Sequence, residues 1–399
     1  MLAPFTARAF RQELVNILDY WEKYTPDGRG GFHGRVNNDN QPVPDAPRSV
    51  VVTSRILWTY AMANQYLHKP KYLTLAKNAY QYLTTYFTDK QEGGVYWSVK
   101  ADGTPLDTKK QIYGQAFAIY GLSEYYLASN HAPALAEARK LYELVEKHSF
   151  DPQNGGYREA FARDWGPTDD YILSKAPWNK SMNTHLHLIE AYTNLYRAWP
   201  DARLKEQIKG MMDQILNHIV SDKTHRMRLF FNTNWQTKDE IISYGHDIEA
   251  SWLLYETAEV LHDEPLTARV RDRTIKMAEA AATGLGKDGA LHYEYDPATK
   301  HTQYNRSWWV AAEQLVGFYN AYQLTRQEHF RDKAKKSWDY IQASFIDKEK
   351  GEWHTTVTYD ETSGKGAPVK GDKVHFWKGP YHNARACAEM WRRMGGAGH

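Results

Sequence analysis

Three separate stretches of this 399-residue chain open with histidine on a helical pattern, namely Asn183-Thr184-His185-Leu186-His187, His246-Asp247-Ile248-Glu249 and the run from Trp377 through His382 to Arg385. Three further stretches open with Arg55, with Tyr113 and Gln115, and with Trp308, Trp309 and Glu313. Imidazole, with a solution pKa near 6.5, takes and returns a proton at neutral pH. A guanidinium stabilises a developing enolate oxygen. Tryptophan faces stack on pyranose rings while the indole N–H keeps a polar handle. Together these groups suit removal of a proton next to a carbonyl in a sugar, and two bases on opposite faces of one carbon allow inversion there. Such chemistry requires neither a nicotinamide nor a metal.

Each residue has a plainer reading beside it. Helical spacing puts Asn183 and His187 on one face and His185 roughly opposite, so His187 is the candidate and His185 its support. A His-x-His pair is also a zinc-binding possibility, but no Cys cluster or His-Glu-x-x-His spacing accompanies it. Glu249 lies three residues after His246, placed to orient the imidazole, to contact substrate, or simply to form a buried ion pair. Arg55, in an otherwise apolar helix, needs a ligand or a salt bridge with Glu313 or Glu249. Trp309 and Trp377 are sugar platforms or plain core.

These residues need a frame that brings them together, and the chain shows one. A Gly-flanked, aromatic-rich turn recurs about every sixty residues: Gly30-Gly31-Phe32, Gly93-Gly94-Val95-Tyr96-Trp97, Gly155-Gly156-Tyr157, Met227-Arg228-Leu229-Phe230-Phe231, Gly289-Ala290-Leu291-His292-Tyr293 and Gly351-Glu352-Trp353. The fourth copy lacks its glycines. Between turns, apolar residues recur at helical spacing in two successive blocks, such as Ile56-Leu57-Tyr60-Ala61 and then Tyr72-Leu75-Ala76-Ala79, with prolines punctuating the pairs. One helix, about 6–24, precedes the first turn and one, about 377–394, follows the last. If these two pair with each other, six helix pairs close into a ring. An open array would want polar end caps, and Leu14, Ile17, Leu18 and Trp21 are not polar. The pattern therefore predicts an all-α, closed (α/α)6 barrel with short Gly-aromatic hairpins, as a single catalytic domain over 1–399. The first helix of each pair is apolar on more of its circumference and is expected to be inner, so the polar openers converge at one end.

Composition limits the partners. The net charge of +2, with no basic block, speaks against nucleic acid. No stretch approaches the eighteen apolar residues of a membrane span, the first fourteen residues carry no secretory apolar run, and Cys387 is the sole cysteine. A cytoplasmic monomer acting on a small molecule is expected. The 14 Trp and 28 Tyr are an unusual endowment, mostly for wide helical packing.

The strings Ser54-Arg55-Ile56-Leu57-Trp58-Thr59, Ser181-Met182-Asn183-Thr184-His185-Leu186-His187, Gly245-His246-Asp247-Ile248-Glu249-Ala250-Ser251-Trp252 and Phe376-Trp377-Lys378-Gly379-Pro380-Tyr381-His382-Asn383 resemble the N-acylglucosamine 2-epimerase family, and within it the cellobiose 2-epimerases. The resemblance runs from about residue 10 to 394. It implies an (α/α)6 barrel and reversible, cofactor-independent epimerisation at C2 of the reducing-end glucose of a β-1,4-linked disaccharide. Cellobiose would become glucosyl-mannose and lactose epilactose, by ring opening and a cis-enediolate. It also implies His246 and His382 as the acid/base pair, His187 in ring opening or hydrogen bonding, Arg55 at the O1/O2 side, and Glu249 beside the first base. Tyr113, Asn183, Trp308, Trp309, Glu313 and Trp377 are the implied substrate contacts. The loop 174–180 departs from relatives that offer an acidic contact there, which leaves the outer-sugar preference open. This loop and the stretch 362–373 are the lid candidates. Two other enzymes fit the same residues: an aldose–ketose isomerase using the same enediolate, and a glycoside hydrolase on the same barrel with Glu249 and Glu313 as its two carboxylates. A non-catalytic sugar-binding scaffold would keep the tryptophans but has no use for convergent histidines.

Overall fold

The computed structural model describes residues 2–237 and 240–396, so the extremities of the expected 1–399 span lie outside the described residues. Twelve α-helices are described: α1 (Ala7–Tyr24), α2 (Val50–Leu67), α3 (Pro70–Tyr82), α4 (Ile112–Ser129), α5 (Ala132–His148), α6 (Met182–Ala198), α7 (Ala202–Gln214), α8 (Tyr244–Leu261), α9 (Glu264–Ala282), α10 (Trp308–Thr325), α11 (Glu328–Tyr340) and α12 (Tyr381–Arg393). Each even-numbered helix packs on the next even one, and α12 returns to α2, closing a ring. The odd-numbered helices lie outside, with α1 against α12 as the pairing of the chain's two ends required.

The sequence pattern explains the two layers. The inner helix α2 is buried on every side from Val50 to Ala63. The outer helix α3 buries one stripe, Tyr72, Ala76, Ala79 and Tyr82. Four inner helices end on a left-handed residue, His68, Asn130, His262 or Arg326, which turns the chain outward within one or two residues.

All six Gly-aromatic turns form, each closed by an antiparallel bridge: Pro26 with Phe32, Thr88 with Val95, Phe150 with Tyr157, Val220 with Met227, Leu285 with Leu291 and Ile346 with Trp353. The fourth copy keeps the turn without glycine because His225 takes the left-handed conformation itself (φ 57°). In the third turn glycine is required. A Cβ on Gly156 (φ 77°) would stand 2.4 Å from the Trp235 ring and 2.8 Å from His185 Nε2.

Short strands then staple each repeat to the next. The residues just before an inner helix pair with those after the following turn, as Arg48–Ser49 with Ser98–Val99 and Lys180–Ser181 with Phe230–Phe231. Val36 bridges Val374, so this belt closes as the helices do.

A buried ion pair anchors five of the six turns. The Asp that opens the turn, or Asp288 within the fifth, meets a cation on the segment leading to an inner helix: Asp27 with Arg48 (2.6 Å), Asp89 with Lys110 (2.9 Å), Asp151 with Lys180 (3.0 Å), Asp288 with Arg306 (2.8 Å) and Asp347 with Lys373 (2.7 Å). In the fourth repeat Ser221 stands in for the Asp and accepts the turn amides of Lys223 and Thr224. Gln115, His185 and Asp247, all fourth residues of their inner helices, accept the backbone N–H of Val95, Tyr157 and Met227. His185 thus belongs to the scaffold, as helical spacing suggested.

The last helix departs from expectation. It starts at Tyr381, not near 377, because Pro380 lacks an N–H and restrains the residue before it. Trp377 therefore sits on a loop. No helix among the described residues is long and apolar enough to cross a membrane.

Lys180 offers a test of the anchors. Its ammonium is fully buried and also donates to the carbonyls of Gly155 (2.7 Å) and Thr233 (2.8 Å). Removing one partner of a buried pair costs about 3–5 kcal/mol, so Lys180→Met is expected to lower urea-unfolding stability by that amount. A loss under about 1 kcal/mol, the size of an ordinary surface change, would remove the anchor reading.

Candidate active site

The N-terminal ends of the inner helices meet around a cavity of about 540 Å³, within the usual range for a small-molecule site. Arg55, Tyr113, Asn183, His187, His246, Glu249, Trp308, Trp309, Trp377 and His382 all line it. Residues scattered from 55 to 382 thus converge as the repeat required. Glu313 does not reach the cavity wall; it lies directly behind His382. A larger cavity of about 730 Å³ opens at the opposite end of the barrel. Within it Arg197 pairs with Glu256 (2.6 Å) and Arg392 with Glu389 (2.7 Å), and no imidazole pair faces it. Size alone does not locate the chemistry.

Each cavity imidazole is held through Nδ1, which leaves Nε2 for a ligand. His187 Nδ1 meets Glu190 Oε2 at 2.9 Å, His382 Nδ1 meets Glu313 Oε1 at 2.7 Å, and His246 Nδ1 meets Ser243 Oγ at 2.7 Å. Burial pushes His246 and His382 down to about 3, and lowers His187 as well. All three rings are therefore neutral at pH 7, the form that accepts a proton. The rings of His246 and His382 share one wall, Trp309, at centroid distances of 4.7 and 5.9 Å.

One turn deeper lies a charged layer. His187, His246 and His382 are each followed three residues later by Glu190, Glu249 and Arg385, and α10 adds Glu313. Arg385 donates to Glu313 (2.7 Å), to Glu249 (3.0 Å) and to Glu190, and Tyr381 also donates to Glu190. Trp252 Nε1 completes Glu313 at 3.0 Å. Arg385 and the His382 contact hold Glu313 below the usual carboxylate range. Burial, and then the Glu313 charge, push Glu249 well above it. Its Oε2 is left unpartnered. It does not orient His246, as the three-residue spacing suggested. That spacing instead serves His187 through Glu190, which the sequence reading missed although the His-x-x-Glu interval was visible.

Arg55 is 3% exposed and has no carboxylate partner among the described residues, so the expected salt bridge to Glu313 or Glu249 is not made. Its guanidinium donates to Trp377 O (2.8 Å) and Tyr113 Oη (3.1 Å) and lies over the Phe117 and Tyr381 rings. A buried cation held by rings and neutral oxygens is suited to an anion that develops during reaction. Asn183 Oδ1 is likewise unpartnered. Tyr293, Gln303, Asn305 and His375 complete the outer wall and had no signal in the sequence beyond their repeat position. Of the two lid candidates, 174–180 is preceded by the lining residue Leu173. The stretch 362–373, bridged at Asp360 with Lys365 and Val357 with Pro368, leads into His375 and Trp377.

Glu249, Glu313 and His382 place donor atoms within 4.8 Å of one another, as a metal site would. Arg385 already bonds both carboxylates, so the positive charge at that point is a guanidinium.

The chain compares closely with known proteins over nearly its whole length. Residues 30–386 match the model of the N-acylglucosamine 2-epimerase family. The cellobiose 2-epimerase of Bacteroides fragilis is 42% identical over 94% of this chain and 96% of its own length, and that of Ruminococcus albus is 40% identical over 96% and 97%. The structure of cellobiose 2-epimerase from Bacillus thermoamylovorans superposes with a TM-score of 0.91 at 38% identity, covering 97% of this chain and 99% of the other. With the barrel, the paired imidazoles and these likenesses in hand, the chain belongs to the N-acylglucosamine 2-epimerase family.

Proposed function

We propose that this chain, as one catalytic unit and as a monomer in the cytoplasm, epimerises C2 of the reducing-end glucose of a β-1,4-linked disaccharide such as cellobiose or lactose. The observation that carries this reading is the pair His246 and His382, neutral and set across Trp309 in one cavity. The similarity to cellobiose 2-epimerases supports the disaccharide.

The steps follow from the groups present. His187, steadied by Glu190, assists ring opening, which yields a C1 aldehyde and a free O5 hydroxyl. One imidazole of the pair removes the C2 proton, and the C2–H electrons form the C1=C2 bond while O1 takes the negative charge. Arg55 and the Tyr113 hydroxyl stabilise that oxygen. The same anion raises the basicity of nearby imidazoles, so the second ring, protonated from solvent, returns a proton to the opposite face of C2. Trp309 and Trp377 stack the two sugars. A hydrolase needs two carboxylates flanking a glycosidic bond, and Glu313 is behind His382 rather than in the cavity. An aldose–ketose isomerase would return the proton to C1 instead, and product analysis distinguishes the two.

Incubated with cellobiose, the protein is expected to yield glucosyl-mannose by NMR, with solvent deuterium at C2 in D2O. Free glucose as the main product would mean hydrolysis, and a ketose would mean isomerisation. His246→Asn and His382→Asn are each expected to lower kcat by roughly 10²–10⁴ with an unchanged melting temperature; wild-type turnover in either variant would overturn its assignment. Trp377→Ala is expected to raise KM for cellobiose several-fold with kcat much less affected, and an unchanged KM would remove the platform role.

A further inference from the structure

The three cavity imidazoles carried on inner helices have unlike partners. His187 and His382 face carboxylates, whereas His246 faces the hydroxyl of Ser243 at 2.7 Å. A carboxylate accepts only, fixes the proton on Nδ1 and stabilises the imidazolium. A hydroxyl orients the ring equally well but adds no charge, so it gives the imidazolium far less support.

The place of Ser243 in the fold makes the contact notable. It is the N-cap residue of α8, the position where Ser49 of α2 accepts from Val51 N (3.1 Å) and Ser181 of α6 accepts from Thr184 N (3.1 Å). Ser243 makes no cap bond. Ser307 of α10 also caps nothing, so an unmade cap alone assigns no role. Ser243 differs in that its buried hydroxyl is turned onto an imidazole of the catalytic cavity. A serine cap stabilises a helix start, and α8 forgoes that local stabilisation.

We propose that Ser243 is a positioning residue that aims His246 Nε2 at the sugar and, being uncharged, keeps His246 a weaker base than a carboxylate partner would make it and a readier proton donor once protonated. His382 is backed by the Glu313 carboxylate, against which Arg55 and Arg385 act in the opposite sense. The inference rests on the epimerase reading above and gives its two bases unequal tasks. The charged and titratable groups acting on His246 from neighbouring elements are His187 of α6, Glu313 of α10 and His382 of α12; Asp247, on its own helix, is engaged by Arg226 at 2.8 Å.

The test compares Ser243→Ala, Ser243→Thr and Ser243→Asp with His246→Ala, on cellobiose as probe. Ser243→Ala is expected to lower kcat by about 10–100-fold, the usual loss on removing a supporting partner, with KM within about threefold and the melting temperature unchanged because no cap is lost. Ser243→Thr, which keeps the hydroxyl, is expected to restore most of the turnover. Ser243→Asp places a carboxylate on Nδ1 and strengthens the base. Activity that needs neutral His246 disappears as pH falls through its pKa, so the acid-side loss moves to higher pH in this variant. Wild-type kcat in Ser243→Ala, or an unmoved pH profile in Ser243→Asp, overturns the positioning role. If His246→Ala also keeps its turnover, the failure lies with His246 as a catalytic residue; if His246→Ala is inactive while Ser243→Ala is not, it lies with Ser243 alone.

Discussion

The interaction on which this site depends is the contact of Arg385 with three buried carboxylates from three other helices. Glu190, Glu249 and Glu313 belong to α6, α8 and α10, and Arg385 to α12. Burying any of these groups alone would be costly, and the cost falls only when charges are paired with good geometry and remaining valences are filled. Tyr381 does so for Glu190 and Trp252 for Glu313, while Glu249 Oε2 and Arg385 Nε are left unpartnered. Burial and the Glu313 charge push the Glu249 carboxyl up, while Arg385 and His382 pull Glu313 down. Two of the three carboxylates then grip His187 and His382 by Nδ1. A charge layer one helical turn below the cavity thereby sets the ring orientations above it.

The barrel makes such a layer possible. The six inner helices begin at one level because the same kind of turn precedes each of them, anchored in five cases by an Asp–cation pair. Residues at equal depth on different helices then become neighbours regardless of sequence distance. The repeat keeps its scaffold positions, where Gln115, His185 and Asp247 perform one task with three chemistries. It varies the positions that face the axis, where arginine, tyrosine, histidine and tryptophan are found instead.

This division explains what could be read in the sequence. Ring closure, the two helix layers, the turn period and the convergence of His187, His246 and His382 all follow from local periodicity repeated six times, and helical spacing separated His185 from His187. The role of Arg385 was hidden because it arises from four helices meeting, which no local interval records. The Glu249 interval misled for the same reason: its natural intrahelical partner, His246, lost to a guanidinium on α12. Trp377 was placed on a helix because its pattern continued, and Pro380 decided otherwise. The turn of the Ser243 hydroxyl onto His246 had no signal, since nothing in a sequence shows which way a hydroxyl points.

The central claim is that His246 and His382 address opposite faces of one sugar carbon. The most direct measurement is a crystal structure with the open-chain alditol of cellobiose, which cannot react. The account predicts the carbon corresponding to C2 between the two rings, with Nε2 of each at roughly 3–3.5 Å on opposite sides and Arg55 on the adjoining oxygen. Both imidazoles on one side of that carbon, or the alditol seated in the cavity at the far end of the barrel, would contradict it.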